Sequence, residues 1–208
     1  MNPRRRRWVA CALALLFCAA LPLLAAEPPS ESLTGAALLD ELKSGGLILY
    51  FRHTSTDFGQ NDDAMSGYED CVRQRNLTDR GRDEARRIGE AVKRLGVPIG
   101  NVLASPFCRT RETAQLIFGR ETVSAAVRGG PARPGNGDRY AELRKLLSTP
   151  PQAGTNLAIA SHGNPFHAVT DTQYLAEGEA AVIRPLGAQG FRIVARIPKD
   201  GWDALAAP

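Results

Sequence analysis

The fold is decided by the stretch Gly46-Leu47-Ile48-Leu49-Tyr50-Phe51-Arg52-His53-Thr54-Ser55-Thr56. Its first half is a short continuous apolar run, which is typical of a strand buried on both faces of a sheet. Its second half is a basic pair followed by three hydroxyl residues. Open α/β sheets bind their ligands in the crevice beyond the carboxyl ends of the strands. Taken alone, the stretch predicts either an anion site at a strand end or a strand that ends in ordinary polar residues.

Apolar runs and helical patterns alternate along the rest of the chain. Further strands are predicted at 101–105 and 157–161, and a hairpin at 180–184 and 191–197, where a Gly-containing turn separates two apolar stretches. Alternation of strands and helices indicates a mostly parallel sheet covered on both faces. The fold class is therefore α/β, a three-layer αβα sandwich. Helices are predicted at 35–44, 78–95, 110–118, 140–147 and 165–175.

Each of the first three core strands ends in residues that can do chemistry. Arg52-His53 ends the first strand, Ser105 ends the second with Arg109 four residues later, and His162 follows the third. The carboxyl ends of parallel strands lie at one edge of the sheet, so these side chains are expected to converge.

Such a cluster favours phosphoryl transfer. Two guanidinium groups can clamp a tetrahedral oxyanion, and one imidazole can attack phosphorus while the other holds the transferring group. The reaction needs chiefly positioning and neutralisation of charge, so no metal or cofactor is required if Arg and His supply that charge. A Ser-His-Asp hydrolase is less favoured, because the sequence has no G-x-S-x-G elbow.

The N-terminus has the layout of a secretory signal peptide. Four arginines, 4–7, precede an apolar segment at 8–24, and two alanines follow, so cleavage is expected after Ala26. The alternative is an uncleaved membrane anchor, although the segment is short and contains Pro22. Export predicts a periplasmic or secreted protein without a stable membrane span after cleavage. Residues 27–44 are then a leader with a short helix, and 45–208 form the main domain.

The net charge of +4 belongs to this N-terminal segment. The first 26 residues carry four arginines and no acids, which leaves 22 basic and 22 acidic residues in the remainder. A formally neutral domain gives no support for nucleic-acid binding, which needs a basic face.

Two cysteines remain after cleavage, Cys71 and Cys108. In an exported protein they are expected to form a disulfide. Free thiols are the alternative, and a zinc site is disfavoured because there is no C-x-x-C pair.

Together these residues resemble the histidine phosphatase superfamily, the phosphoglycerate mutase-like fold. Its first motif corresponds to 52–56, its Ser-x-x-x-Arg-x-x-x-Thr motif to 105–113, and its later His-Gly to 162–163; the helix opening at 77–85 also fits. The resemblance implies that His53 is the nucleophile of a phosphohistidine mechanism. It also implies that Arg52, Arg109 and His162 hold the phosphoryl group, with Thr56 and Ser105 as further contacts.

The sequence departs from the family pattern at several points. Thr54 replaces the Gly of the first motif, Gly59 stands where mutase-like members often carry Asn, and the acid that protonates the leaving group is not evident. Glu179 is the first choice, because an antiparallel strand beginning at 180 would start at the catalytic edge. Glu177, Glu142 and Asp138 are the other candidates.

The expected activity is a metal-independent phosphomonoesterase acting on an exported or cell-envelope phosphate ester, such as a sugar phosphate or glycolipid. Mutase activity is disfavoured, because an exported protein would not meet glycolytic intermediates. A phosphohistidine protein phosphatase and an inactive domain that binds phosphate esters or a partner are the alternatives.

Overall fold

The computed structural model describes residues 32–128 and 138–206. The predicted signal peptide and the Gly/Pro-rich segment at 129–137 lie outside the described residues. Within them, no helix is long and apolar enough to cross a membrane.

Six strands form one sheet in the order β3-β2-β4-β1-β5-β6. The strands are β1 (Ile48–Arg52), β2 (Ile99–Ala104), β3 (Thr122–Val123), β4 (Asn156–Ser161), β5 (Ala180–Pro185) and β6 (Phe191–Ile197). The four strands from β3 to β1 are parallel, and β5 and β6 are antiparallel to their neighbours. The predicted mostly parallel sheet and terminal hairpin are therefore confirmed.

Five helices cover the two faces of the sheet in the described part of the chain, which confirms the three layers. They are α1 (Gly35–Ser44), α2 (Asp79–Arg94), α3 (Cys108–Phe118), α4 (Ala141–Ser148) and α5 (Gly163–Thr170). Leu49 and Phe51 of β1 pack with α1, α2 and α3, whereas Ile48 and Tyr50 pack on the opposite face with α4 and α5. The first four residues of β1 are thus apolar because both faces of the strand are buried there.

One predicted helix is too long, and one strand was missed. Helix α5 ends at Thr170 rather than at residue 175, because Asp171 adopts a left-handed conformation with φ of 51°. Strand β3 was not predicted, since two exposed residues carry no readable pattern.

Candidate active site

The ends of β1, β4 and β2 place their polar residues around one pocket. The pocket has a volume of about 190 Å³ at the carboxyl edge of the parallel strands. Its walls are formed by side chains and backbone of Arg52, His53, Asp62, Arg75, Phe107, Arg109, His162, Gly163, Asn164 and Tyr174. The convergence expected from three strand ends is therefore present.

His53 lies almost wholly buried at the end of β1, with 1% of its surface exposed. Its Nδ1 is 3.0 Å from the carbonyl oxygen of Thr54. A carbonyl only accepts hydrogen bonds, so the proton of the neutral ring belongs on Nδ1. Within the described residues Nε2 has no hydrogen-bond partner, and its lone pair is available to an electrophile.

The environment of His53 keeps its imidazole neutral. Burial lowers the pKa of His53 to about 3, and the nearby charges of Arg109, Arg52 and Arg75 act in the same direction. A neutral imidazole is the nucleophilic form. The arginines that would bind an anion therefore also favour the neutral, nucleophilic form of the His53 ring.

His162 faces His53, with ring centroids 5.6 Å apart. Its Nε2 lies 2.8 Å from the hydroxyl of Ser105, and burial, together with His53 and the arginines, lowers its pKa well below the ordinary value. Ser105 is wholly buried. In this structure the Ser105 hydroxyl orients His162, and Ser105 is not among the residues that line the pocket.

The arginines are held by fixed partners. Arg52 donates from Nη1 to the carbonyl of Leu175 at 2.9 Å, and the guanidinium of Arg109 lies over the ring of Phe107 at 4.5 Å. Burial lowers the pKa of both groups. The Nε atoms of Arg52, Arg75 and Arg109 are buried and have no hydrogen-bond partner in the described part of the chain. Buried unpaired donors are uncommon, and three around one pocket indicate an anionic ligand.

Two charged residues of the pocket, Asp62 and Arg75, were not predicted from the sequence. Asp62 binds Arg109 with both carboxylate oxygens, at 2.9 and 3.0 Å, and accepts from the backbone N–H of Arg75 at 2.9 Å. Both lie in the segment between β1 and α2, which has no strand or helix periodicity. The chain's own spacing therefore gave no signal that this loop folds back over the strand ends.

The replacement of Gly by Thr54 is accommodated inside the protein. Thr54 is wholly buried, and its backbone N–H donates to the hydroxyl of Thr113 on α3 at 3.3 Å. Thr54 is not among the residues that line the pocket. This departure from the family pattern leaves the anion site open.

The acid candidates lie in different surroundings. Glu179 binds Arg196 through both carboxylate oxygens, at 2.7 and 2.9 Å. Glu177 accepts from the Thr56 hydroxyl at 2.6 Å and lies 3.8 Å from Nδ1 of His53. Neither lines the pocket. Glu179 is thus paired with Arg196, and the Thr56 hydroxyl contacts Glu177; Thr56 is not among the residues that line the pocket.

The remaining two candidates lie farther along the chain. Asp138 is exposed and binds Arg144 at 2.9 Å, and Glu142 is exposed in the first turn of α4. Neither lines the pocket in this structure.

Cys71 and Cys108 form a disulfide, with Cα atoms 5.7 Å apart. The bond ties the loop that carries Asp62 and Arg75 to the first residue of α3, immediately before Arg109. Gln74 reinforces the tie, because its side-chain oxygen accepts from the backbone N–H of Cys108 at 3.0 Å. Within the described residues, no cluster of His, Cys, Asp or Glu has the arrangement of a metal site.

Comparison with family models finds a match over part of the chain. Residues 48–129 match the family model of the histidine phosphatase superfamily, branch 1. This segment contains His53, Arg109, Asp62 and Arg75, while His162 comes after it. No curated protein matches the sequence.

Several solved structures share the fold. SixA from Agrobacterium tumefaciens is 13% identical with a TM-score of 0.50, and the match covers 74% of this chain and 98% of that chain. TTHB049 from Thermus thermophilus is 17% identical with a TM-score of 0.50, covering 72% and 98%. The structure named Mycobacterial hydrolase 1 is 12% identical with a TM-score of 0.50, covering 71% and 95%. At these identities the likeness concerns the fold alone.

Proposed function

Because residues 48–129 match the family model of the histidine phosphatase superfamily, we propose that the chain belongs to this superfamily and is a phosphomonoesterase that works through a phosphohistidine on His53. Two features of the pocket carry the proposal. The buried, neutral imidazole of His53 has an unpaired Nε2, and it lies beside three arginines whose Nε–H groups have no partner within the described residues.

The reaction has two steps. Nε2 of His53 attacks phosphorus, and the bond from phosphorus to the ester oxygen breaks, so the alcohol leaves with one proton. Water then attacks the phosphohistidine, the N–P bond breaks, and inorganic phosphate is released with the ring restored. The hydrogen bond from Nδ1 to the carbonyl of Thr54 stabilises the charge that the ring gains in the first step.

Arginine side chains supply the positive charge for this reaction. Arg52, Arg75 and Arg109 line the pocket with His162, and fixed cations around the equatorial oxygens stabilise the transition state of phosphoryl transfer. Because this charge is already present, the proposed mechanism needs no metal ion.

We place the substrate outside the cytoplasm, as an exported or cell-envelope phosphate ester. The signal-like sequence of residues 1–26 and the Cys71–Cys108 disulfide support this placement, since disulfides persist in oxidising compartments.

The test is hydrolysis of an aryl phosphate with EDTA present, by the wild type and by His53→Ala. We expect turnover that resists EDTA and falls at least about 10³-fold in the variant, because loss of a covalent nucleophile removes most of the catalysis. Trapping of an acid-labile, alkali-stable phosphoenzyme in the wild type alone would identify phosphohistidine. A matched control is His167→Ala, which removes a histidine outside the pocket.

The other outcomes separate the alternatives. Activity that survives in His53→Ala would mean that another group is the nucleophile. Phosphate binding without turnover on any ester would favour an inactive binding domain. Selective hydrolysis of a phosphohistidine peptide would favour a protein phosphatase.

A further inference from the structure

The proposed reaction needs a proton for the leaving alcohol, and only one carboxyl group lines the pocket in the described part of the chain. That group belongs to Asp62. Glu179 is bound to Arg196, and Glu177 is bound to Thr56 on the Nδ1 side of His53, away from the attacking nitrogen. Asp62 is therefore the carboxyl group that shares the pocket with Nε2.

The Asp62 carboxylate binds the guanidinium N–H groups that an anionic substrate would use. Its two oxygens pair with Nη1 and Nη2 of Arg109 at 2.9 and 3.0 Å. A carboxylate and a phosphoryl group bind a guanidinium in the same bidentate way. The carboxylate thus stands where two phosphoryl oxygens would bind.

Exchange of the two anions would leave Asp62 beside the substrate. When phosphoryl oxygens bind Arg109, the Asp62 carboxylate loses its counter-ion and faces the negative charge of the phosphoryl group. Both changes favour its protonated form. Its side chain is 30% exposed, so it can turn away from Arg109 towards solvent and the ester oxygen without opening the core.

Resting on the proposed function, we propose that Asp62 is the general acid of the phosphatase reaction. As Nε2 of His53 bonds to phosphorus, the bond to the ester oxygen breaks and the Asp62 carboxyl gives that oxygen its proton. The products are the alcohol, the phosphohistidine and the Asp62 carboxylate. The carboxylate then takes a proton from the attacking water as the N–P bond breaks, which restores the acid.

The loop around Asp62 permits this movement while keeping it local. An isolated bridge between Thr56 and Leu77 closes the base of the loop, and the Cys71–Cys108 disulfide fixes its second half. Asp62 lies between these two anchors. The carboxyl group can therefore exchange partners while Arg75 and Arg109 stay in the pocket.

The test compares Asp62→Asn with the wild type on two substrates. One is 2,4-dinitrophenyl phosphate, whose phenolate leaves without a proton, and the other is a simple alkyl phosphate, whose alkoxide cannot. General acid catalysis typically contributes about 10²–10⁴-fold. On this basis we expect kcat/KM of Asp62→Asn to fall at least about 10²-fold on the alkyl ester and less than about fivefold on the dinitrophenyl ester, with Asp62→Glu recovering part of the alkyl activity.

The matched control is Asp63→Asn, which makes the same change one residue later in the loop, outside the residues that line the pocket. It should retain wild-type activity on both esters. If Asp62→Asn folds poorly, Asp62→Ala gives the same comparison, and activity on the dinitrophenyl ester reports that the site is intact.

Two results would overturn the proposal. An equal loss of kcat/KM on both esters would mean that Asp62 only positions Arg109. No loss on either ester would mean that Asp62 takes no part in the reaction. Failure of the proposed function would give a different result. His53→Ala would then keep its activity on the dinitrophenyl ester, whatever the activity of Asp62→Asn.

Discussion

Arg75 differs from the other two arginines of the pocket in having no carboxylate partner among the described residues. Arg109 pairs with Asp62, and Arg52 lies 3.7 Å from Glu177. The guanidinium of Arg75 lies over the ring of Phe58 at 5.1 Å, and its buried Nε has no partner within the described ranges. Its charge is therefore the one most available to an incoming anion.

Replacing Arg75 should weaken binding of the phosphoryl group. A hydrogen bond to a charged group contributes about 1.5–3 kcal/mol, so we expect Arg75→Ala to raise KM for an aryl phosphate, or Kd for vanadate, about 10- to 100-fold. Arg75→Lys should recover part of the loss, because it keeps the charge without the planar guanidinium.

Arg73→Ala is the control for this prediction. Arg73 lies in the same turn, but its side chain is 61% exposed and pairs with Asp70 at 3.2 Å. Its removal should leave vanadate binding unchanged. Equal weakening in both variants would show that the turn, and not the charge of Arg75, supports the site.

The sequence identified the residues of this site that follow predicted strands. Arg52, His53 and His162 stand at the ends of apolar runs, and the edge of a parallel sheet brings them together. Asp62 and Arg75 could not be identified in this way, because hydrogen bonds across the loop, and not a periodic pattern, place them. The pairing of Glu179 with Arg196 was hidden for a similar reason, since it depends on the side-chain orientations within the hairpin.

At the scale of elements, helix α2 fixes the strand end that carries His53, the proposed nucleophile. A Cβ on Gly81 would lie 2.0 Å from the carbonyl oxygen of Ser55, so only glycine permits this contact. Three residues later, the buried carboxylate of Glu84 accepts from both the backbone N–H and the hydroxyl of Ser55. The sequence indicated a helix here, but the reason for its glycine is visible only once the helix is packed on the strand.

The disulfide should matter for both stability and substrate binding. It joins cysteines 37 residues apart, and chain entropy predicts about 4 kcal/mol of stabilisation for a loop of this length. We expect the double variant Cys71→Ser/Cys108→Ser to have a lower free energy of unfolding in urea and a higher KM for aryl phosphate, because the turn holding Arg75 loses its tie to α3.

Limited proteolysis gives an independent measurement of the same effect. Cleavage within residues 57–76 should be faster in the double variant than in the wild type, while cleavage elsewhere stays slow. Dithiothreitol should reproduce the change in the wild type and have little further effect on the variant. An unchanged KM would mean that Gln74 and Asp62 suffice to hold the turn.

At the scale of the molecule, the sheet determines where chemistry can occur. Strand β1 lies between parallel β4 and antiparallel β5, so His53 emerges at the change of strand direction with His162 beside it. The alternation of elements was sufficient to predict the layers and the sheet edge at which the candidate site lies. The strand order was not predicted, because it depends on which apolar faces fit together across long sequence separations.

The burial of a neutral His53 makes the stability of the whole protein depend on pH. Its folded-state pKa of about 3 lies below the ordinary histidine value of 6.5. Between these values the unfolded chain binds the extra proton and the folded chain does not, so the free energy of unfolding falls as pH is lowered through this window. From about pH 6.5 to about pH 4 this corresponds to about 3 kcal/mol for His53.

The prediction is tested by urea unfolding of the wild type and His53→Gln between about pH 4 and about pH 8, the range that spans most of this window. Acidic groups that lose their partners affect both proteins. The informative quantity is therefore the difference between the two proteins in the free energy of unfolding at each pH. That difference should be constant well above the ordinary histidine pKa and should shift in favour of His53→Gln as the pH falls below it. If the curves stay parallel throughout, His53 is able to bind a proton in the folded state, and the neutral nucleophile proposed for this site would lose its physical basis.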